Sequence, residues 1–419
     1  MRMRKGIMSK FKRTKLACYM AYFTMSSIFA LPPILFLPLR EMYGISYTLL
    51  GTLVLVNFFT QMSIDLIFTF FSKHFPIAKV IRIMPLITSV GLGIYAVFPL
   101  LFPELAYVGL VLGTVIFSVS AGLSEVLLSP TIAAIPSENP QRDMSFLHSL
   151  YAFGVLTVVL VSTLFLKVFG NQNWWIITLI LAAMPILSAV LFMTSPIPNM
   201  ETQPPAAISG NRKHLWGMVL CVGCIFFGSC AENTMSNWVS GFVETALGVD
   251  KALGDVLGMA MFAILLGIAR ISYAKFGKKI MPILMGGMIG AAACYLLVGL
   301  SSNPAVGLVA CMLTGLFTSM LWPGTLILME EKIPNVGVTA YALMAASGDM
   351  GASVAPQLMG VVTDTVAASA LAASLSQTLN LSTEQIGMKA GMLVSAVFPI
   401  LGVILLLIAM RYFKKKEQA

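Results

Sequence analysis

The sequence predicts an all-α membrane protein of twelve spanning helices in two pseudo-symmetric six-helix halves. Composition, a train of long apolar runs and a weak internal repeat predict it together. Hydrophobic residues make up 58% of the 419 and charged ones only 10%, against roughly 25% charged in an ordinary soluble domain. With a mean hydropathy of +0.90, lipid must solvate much of this surface.

The apolar runs cover Leu16 to Leu39, Ser46 to Phe71, Val80 to Phe98, Leu105 to Ala134, Phe146 to Phe169 and Trp174 to Met193. A second set covers Leu215 to Val243, Leu253 to Phe276, Ile280 to Leu300, Ala305 to Met329, Val338 to Val366 and Met388 to Met410. A spanning helix needs about 20 apolar residues, whereas barrel strands alternate over about 10, so unbroken runs of this length are read as helices. If the N-terminus is cytoplasmic, 22 of the 26 Lys and Arg fall on that side, leaving Arg40, Lys167, Lys251 and Lys389 opposite. This obeys the positive-inside rule and predicts both termini in the cytoplasm. The basic N-terminal stretch has no small-residue cleavage site and reads as a retained tail.

Between the sixth and seventh runs lies SPIPNMETQPPAAISGNRKH, whose prolines and polar residues can neither extend a helix nor build a core. The expected organisation is therefore a half over 1–195, a linker over 196–213 and a half over 214–419. GISYTLLGTLVLVNF from Gly44 matches GVDKALGDVLGMAMF from Gly248, and the segment ending at Pro136 matches the one ending at Pro334. Parallel six-helix repeats of this kind hold a solute near the bilayer midplane.

An ionisable group in a span costs about 2.5–3.5 kcal/mol on insertion scales, so each needs a partner or a task. Glu125, in SAGLSEVLLSP, is a candidate proton site, with solute acceptor and structural pair as alternatives. Asn57, Gln61 and Asp65 recur every fourth residue and share one face of span two. The two amides suit a hydroxyl-rich ligand or a bond between helices; Asp65 suits a gate. Glu232, Asn233 and Trp238 together offer the hydrogen-bonding groups and the aromatic ring that a sugar requires, although Trp238 is also placed to be an interfacial anchor. Trp322, beside Pro323, is a candidate stacking residue at a helix break. Asp349, among small residues, reads as a structural charge, with Arg270 or a backbone carbonyl as partner. His148 can relay a proton or serve as a satisfied donor, and Tyr151 stands one turn further on.

The loop YAKFGKKI, from Tyr273 to Ile280, resembles the loop signature of the major facilitator superfamily, with Lys275, Gly277, Lys278 and Lys279 in register and Ala274 where that signature has an acid. The resemblance implies a gating role for these residues. The segments GSCAENTMSNWVSGFVETALGV, LLGIAR, LWPG and SGDMGASVAPQLMG resemble the fucose-galactose-glucose proton symporter branch of that superfamily. What this implies is the twelve-helix facilitator fold and proton-coupled uptake of a monosaccharide or related polyol. Glu125 matches a glutamate that the branch uses in proton-linked sugar binding, while span one lacks the branch's aspartate.

The implied partners are a small solute, protons and the lipid bilayer. The charges are too dispersed for nucleic acid, no cofactor is implied, and a monomer is expected to suffice. No P-loop, nucleophile or metal constellation is recognisable, which argues against an enzyme or an ATP-driven pump. The six cysteines all fall in apolar runs, and Cys221 and Cys224, though spaced as CxxC, read as small packing residues. Rival expectations are a proton-linked drug or metabolite exporter, whose adaptable cavity the many methionines would supply, and a non-transporting receptor.

Overall fold

The computed structural model describes residues 10–71, 74–199, 212–277, 279–333 and 338–417; among them the backbone is helical and contains no strand. Six helices come first: α1 (Lys12–Tyr43), α2 (Tyr47–Phe71), α3 (Ile77–Leu101), α4 (Ala106–Ala134), α5 (Pro140–Phe169) and α6 (Trp174–Met193). After the linker come α7 (Arg212–Thr245), α8 (Met261–Phe276), α9 (Ile280–Leu300), α10 (Pro304–Thr318) and α11 (Leu321–Lys332). The chain ends in α12 (Val338–Ala367), α13 (Ala370–Leu379), α14 (Thr383–Ser395) and α15 (Val397–Glu417).

Among the described residues, eleven helical spans are long and apolar enough to cross a membrane. The α12–α13 pair, bent by 78°, supplies the twelfth. Each run expected from the sequence coincides with one of them. Two spans are composite: α10 and α11 form one continuous crossing interrupted at Ser319–Met320, and α14 and α15 form the last. Much of the linker, residues 200–211, and the loop residue Lys278 lie outside the described residues.

The chain divides into two compact units, one of 1–43 with 60–204 and the other of 44–59 with 205–419. In the first, α3 packs on α4 and α6, and α1 on α5 and α6. Without lipid-excluding force between helices, close approach depends on small residues. A Cβ on Gly91 would lie 2.5 Å from the Phe117 backbone nitrogen, so α3 and α4 touch main chain to main chain. Polar bonds reinforce this seam: Thr88 donates to Ser120 at 2.8 Å, and Ser120 donates to the Met84 carbonyl at 2.5 Å.

In the second unit, α7 packs along α12, and α12 along α14. The first turns of α2 belong here. The amides of Tyr47 and Thr48 donate to Asp364 at 3.2 and 2.6 Å, so the carboxylate of α12 satisfies donors that a helix start leaves unpaired. The Tyr47 hydroxyl donates to Glu384 at 2.7 Å.

The two glycines that the sequence repeat aligns, Gly44 and Gly248, both adopt left-handed backbone, at φ 65° and 66°. The helices they introduce then differ. Span two continues as a plain α-helix, whereas span eight opens with one turn (Lys251–Leu253) and a π-helical segment (Gly254–Ala260) before α8.

Candidate functional site

Within the first unit, α4 carries Glu125, which is exposed although it sits well inside the crossing, and which forms no ion pair among the described residues. One turn further along the same helix, Ser129 lies 3.5 Å from His148 Nε2, and His148 Nδ1 lies 2.8 Å from the Tyr22 hydroxyl. Tyr151 packs edge-on against Tyr22 and Phe29. His148 and Tyr151 thus belong to an aromatic cluster linking α1 to α5, with Ser129 tying it to the helix of Glu125. Sequence reasoning missed Tyr22, because a tyrosine among apolar residues carries no signal of its partner. On α2, which runs from the second unit (Asn57) into the first (Gln61 and Asp65), all three are buried.

At the N-terminal ends of α1 and α5, Lys15 forms an ion pair with Asp143, to which Ser137 donates at 2.6 Å and Tyr19 at 3.5 Å. Burial pushes the Asp143 carboxyl up, but the bonds from Lys15 and Ser137, the lysine charge and the Tyr19 hydroxyl together hold it below its ordinary value.

The second unit contains a paired charge. Arg270 Nη2 lies 3.2 and 3.5 Å from the two Glu232 oxygens, and its Nε donates to the Ser319 carbonyl at 2.9 Å. The second contact follows from the sequence of span ten. Pro323 has no N–H, so the carbonyl four residues earlier, Ser319, loses its ladder partner. A guanidinium on the neighbouring helix α8 takes it over. Arg270 therefore answers to Glu232 and Ser319.

Glu232 shares α7 with a chain of amides. Asn233 donates to Ser229 at 3.0 Å and Asn237 to the Asn233 carbonyl at 2.8 Å. Trp238, by contrast, is 1% exposed, donates its indole N–H to the Pro356 carbonyl at 3.0 Å and tilts against Tyr47. Its position is interior. Trp322 is half-buried, and its ring lies over Gly348, where an added Cβ would meet it at 2.2 Å. That glycine adjoins buried Asp349. Lys275 and Gly277 close α8, with Lys275 beside the Phe276 ring.

A second ionic group was not anticipated. Asp255, fully buried in the π-helical segment, accepts from Ser240; Lys251 lies 3.4 Å from that hydroxyl, 3.6 Å from Glu244 and 3.7 Å from Asp255. The spacing of Lys251 and Asp255, one helical turn apart, was the available signal. All six cysteines are free and buried.

The sequence matches the family described as Major Facilitator Superfamily over residues 16–356. The chain belongs to the Major Facilitator Superfamily. This facilitator is accordingly a multi-pass membrane transporter and not an enzyme. Its fold is similar to that of a bacterial homologue of the human lysosomal transporter Spinster, at 14% identity and TM-score 0.71, covering 97% of this chain and 98% of that one. It is similar also to a D-xylose–proton symporter, at 17% identity and TM-score 0.70 over 93% and 97% of the two chains. The E. coli fucose:proton symporter FucP matches at 14% identity and TM-score 0.59 over 96% and 99%. No curated protein matches the sequence.

Proposed function

We propose that this facilitator is a proton-coupled uptake carrier for a monosaccharide or related small polar solute, of the fucose-galactose-glucose symporter branch. It would work as a monomer in a bacterial plasma membrane, by alternating access of two six-helix halves, 1–195 and 214–419, with both termini cytoplasmic. The observation that carries the reading is Glu125. Glu125 is exposed inside a membrane crossing, where a carboxylate is too costly against hydrocarbon, so on this reading it faces a water-filled cavity. In such a place it can gain and lose a proton as access changes, which coupling requires. Ser129, His148 and Tyr22 extend a row of exchangeable hydroxyl and imidazole groups from that helix to α1.

The solute side rests on the α7 amide row beside the Glu232–Arg270 pair, with Asn57 and Gln61 on α2 as further amides. These are hydroxyl-binding groups held in an apolar frame. Trp322 and Tyr151 would offer the apolar face of a sugar its aromatic surface. Asp65, Asp349, Arg270, Lys275, Gly277 and Lys278 would serve in gating and helix pairing. Two similar folds belong to proteins named as sugar–proton symporters, which favours this reading over export.

The test is uptake by the full chain in proteoliposomes across a panel of monosaccharides and polyols. An imposed inward proton gradient should drive accumulation of at least one, with proton entry dependent on that sugar. Glu125→Gln should abolish accumulation while leaving sugar exchange. Full accumulation in Glu125→Gln overturns the proton role, and accumulation of no sugar overturns the solute class.

A further inference from the structure

A groove of about 570 Å³ opens on the first unit, lined along α1 by Leu16, Tyr19, Met20, Phe23 and Thr24, and walled by residues of α5 and α6. The α1 residues follow the spacing of a single helical face, which runs for about 12 Å from Leu16 to Thr24 at 1.5 Å per residue. Leu16, Phe146, Met184 and Leu187 are exposed there. The groove is almost wholly apolar and follows a membrane-crossing helix.

What covers it is indicated by its end. Lys12 precedes Leu16 by four residues and Arg13 by three, so both stand on the groove's side of α1, one turn beyond it. Both are exposed, as is Lys10. The nearest acid on the packed helix α5, Asp143, is engaged by Lys15, and its charge is thereby answered. Two cations at a juxtamembrane position, one turn beyond an apolar groove on the same helix face, complement a molecule with an anionic head and a hydrocarbon tail.

We infer that this groove is a binding site for one anionic phospholipid, with an acyl chain along the α1 face and its phosphate between Lys12 and Arg13. On the proposed topology the lipid belongs to the cytoplasmic leaflet, whose negative surface attracts such basic segments. The site lies within one unit and does not depend on the solute or on proton coupling.

Native mass spectrometry of the full chain, released from micelles containing phosphatidylglycerol and phosphatidylcholine of identical chains, tests it. One phosphatidylglycerol should remain bound per chain, in preference to phosphatidylcholine by about tenfold. Lys12→Gln with Arg13→Gln should remove the preference, and Ala183→Phe, which fills the groove wall, should remove retention of either lipid. In a parallel melt, phosphatidylglycerol should raise the midpoint of the parent chain above the phosphatidylcholine value, and the double variant should show equal midpoints. Equal retention of both lipids by the parent chain overturns the site. So does an unchanged preference in the double variant, or unchanged retention in Ala183→Phe when that variant melts as the parent does in phosphatidylcholine.

Discussion

The two units carry their intramembrane acids in opposite ways. Glu125 of the first is exposed and stands apart from any ion pair among the described residues, whereas Glu232 of the second is held by Arg270 at 3.2 Å. An acid with a guanidinium beside it is tied into the structure, because removing either partner strands the other. One without such a partner can exchange its proton at little structural cost. On the proposed reading, the difference puts chemistry in the first unit and mechanical constraint in the second.

The largest effect should come from the unpaired acid. Glu125→Gln is expected to lower gradient-driven uptake by about a hundredfold or more, with the melting midpoint almost unmoved. A comparable loss of stability would break the contrast. Next, Arg270→Met should destabilise the chain by about 2–4 kcal/mol, because it strands both Glu232 and the Ser319 carbonyl. Adding Glu232→Gln should recover part of that loss in denaturant or thermal melts; purely additive losses would show that the pair is not coupled.

Smaller effects separate the glycines. Gly360→Val should cost about 1–3 kcal/mol, since an added Cβ would meet the Tyr47 carbonyl oxygen at 2.3 Å. At Gly44 and Gly248 there is open space within 4 Å, so alanine should cost only about 1 kcal/mol at either from its left-handed backbone, and equally at both. Unequal costs would mark where the aligned repeat diverges energetically.

The smallest effect is pH-dependent. The Asp143 carboxyl is held below its unfolded value, so its stabilisation is present above that value and is lost as pH falls through the lower folded one. Asp143→Asn should flatten that acid limb by at most about 1 kcal/mol, as expected for a partly exposed pair. Melts between pH 6 and about pH 3 would read it.

The crossings were legible because lipid leaves a helix no freedom of composition, so twelve runs and their order follow from hydropathy alone. Partners were not, because a span chooses its neighbour by packing. Arg270 lies 38 residues from Glu232, and charge alone offers it Asp349, on another span, equally well. What decides for Glu232 is the lost ladder bond at Ser319, which Pro323 announces but whose acceptor only the packing of α8 reveals. Trp238 shows the opposite failure. An indole near polar neighbours reads as a ligand platform or an interfacial anchor, yet a carbonyl on α12 satisfies it in the interior. Asp255 escaped notice because it sits among glycines at a span's edge, and nothing in the sequence distinguishes a π turn from an α turn.

The interruption at Ser319–Met320 has a mechanical meaning. Span ten is joined there by a side chain from another helix instead of by its own main-chain ladder, so its stiffness is set remotely. Releasing it costs one charge-assisted bond, about 1.5–3 kcal/mol, and leaves the ladders of α10 and α11 whole. On the proposed reading, span ten is a jointed rod and the guanidinium of Arg270 is its locking pin.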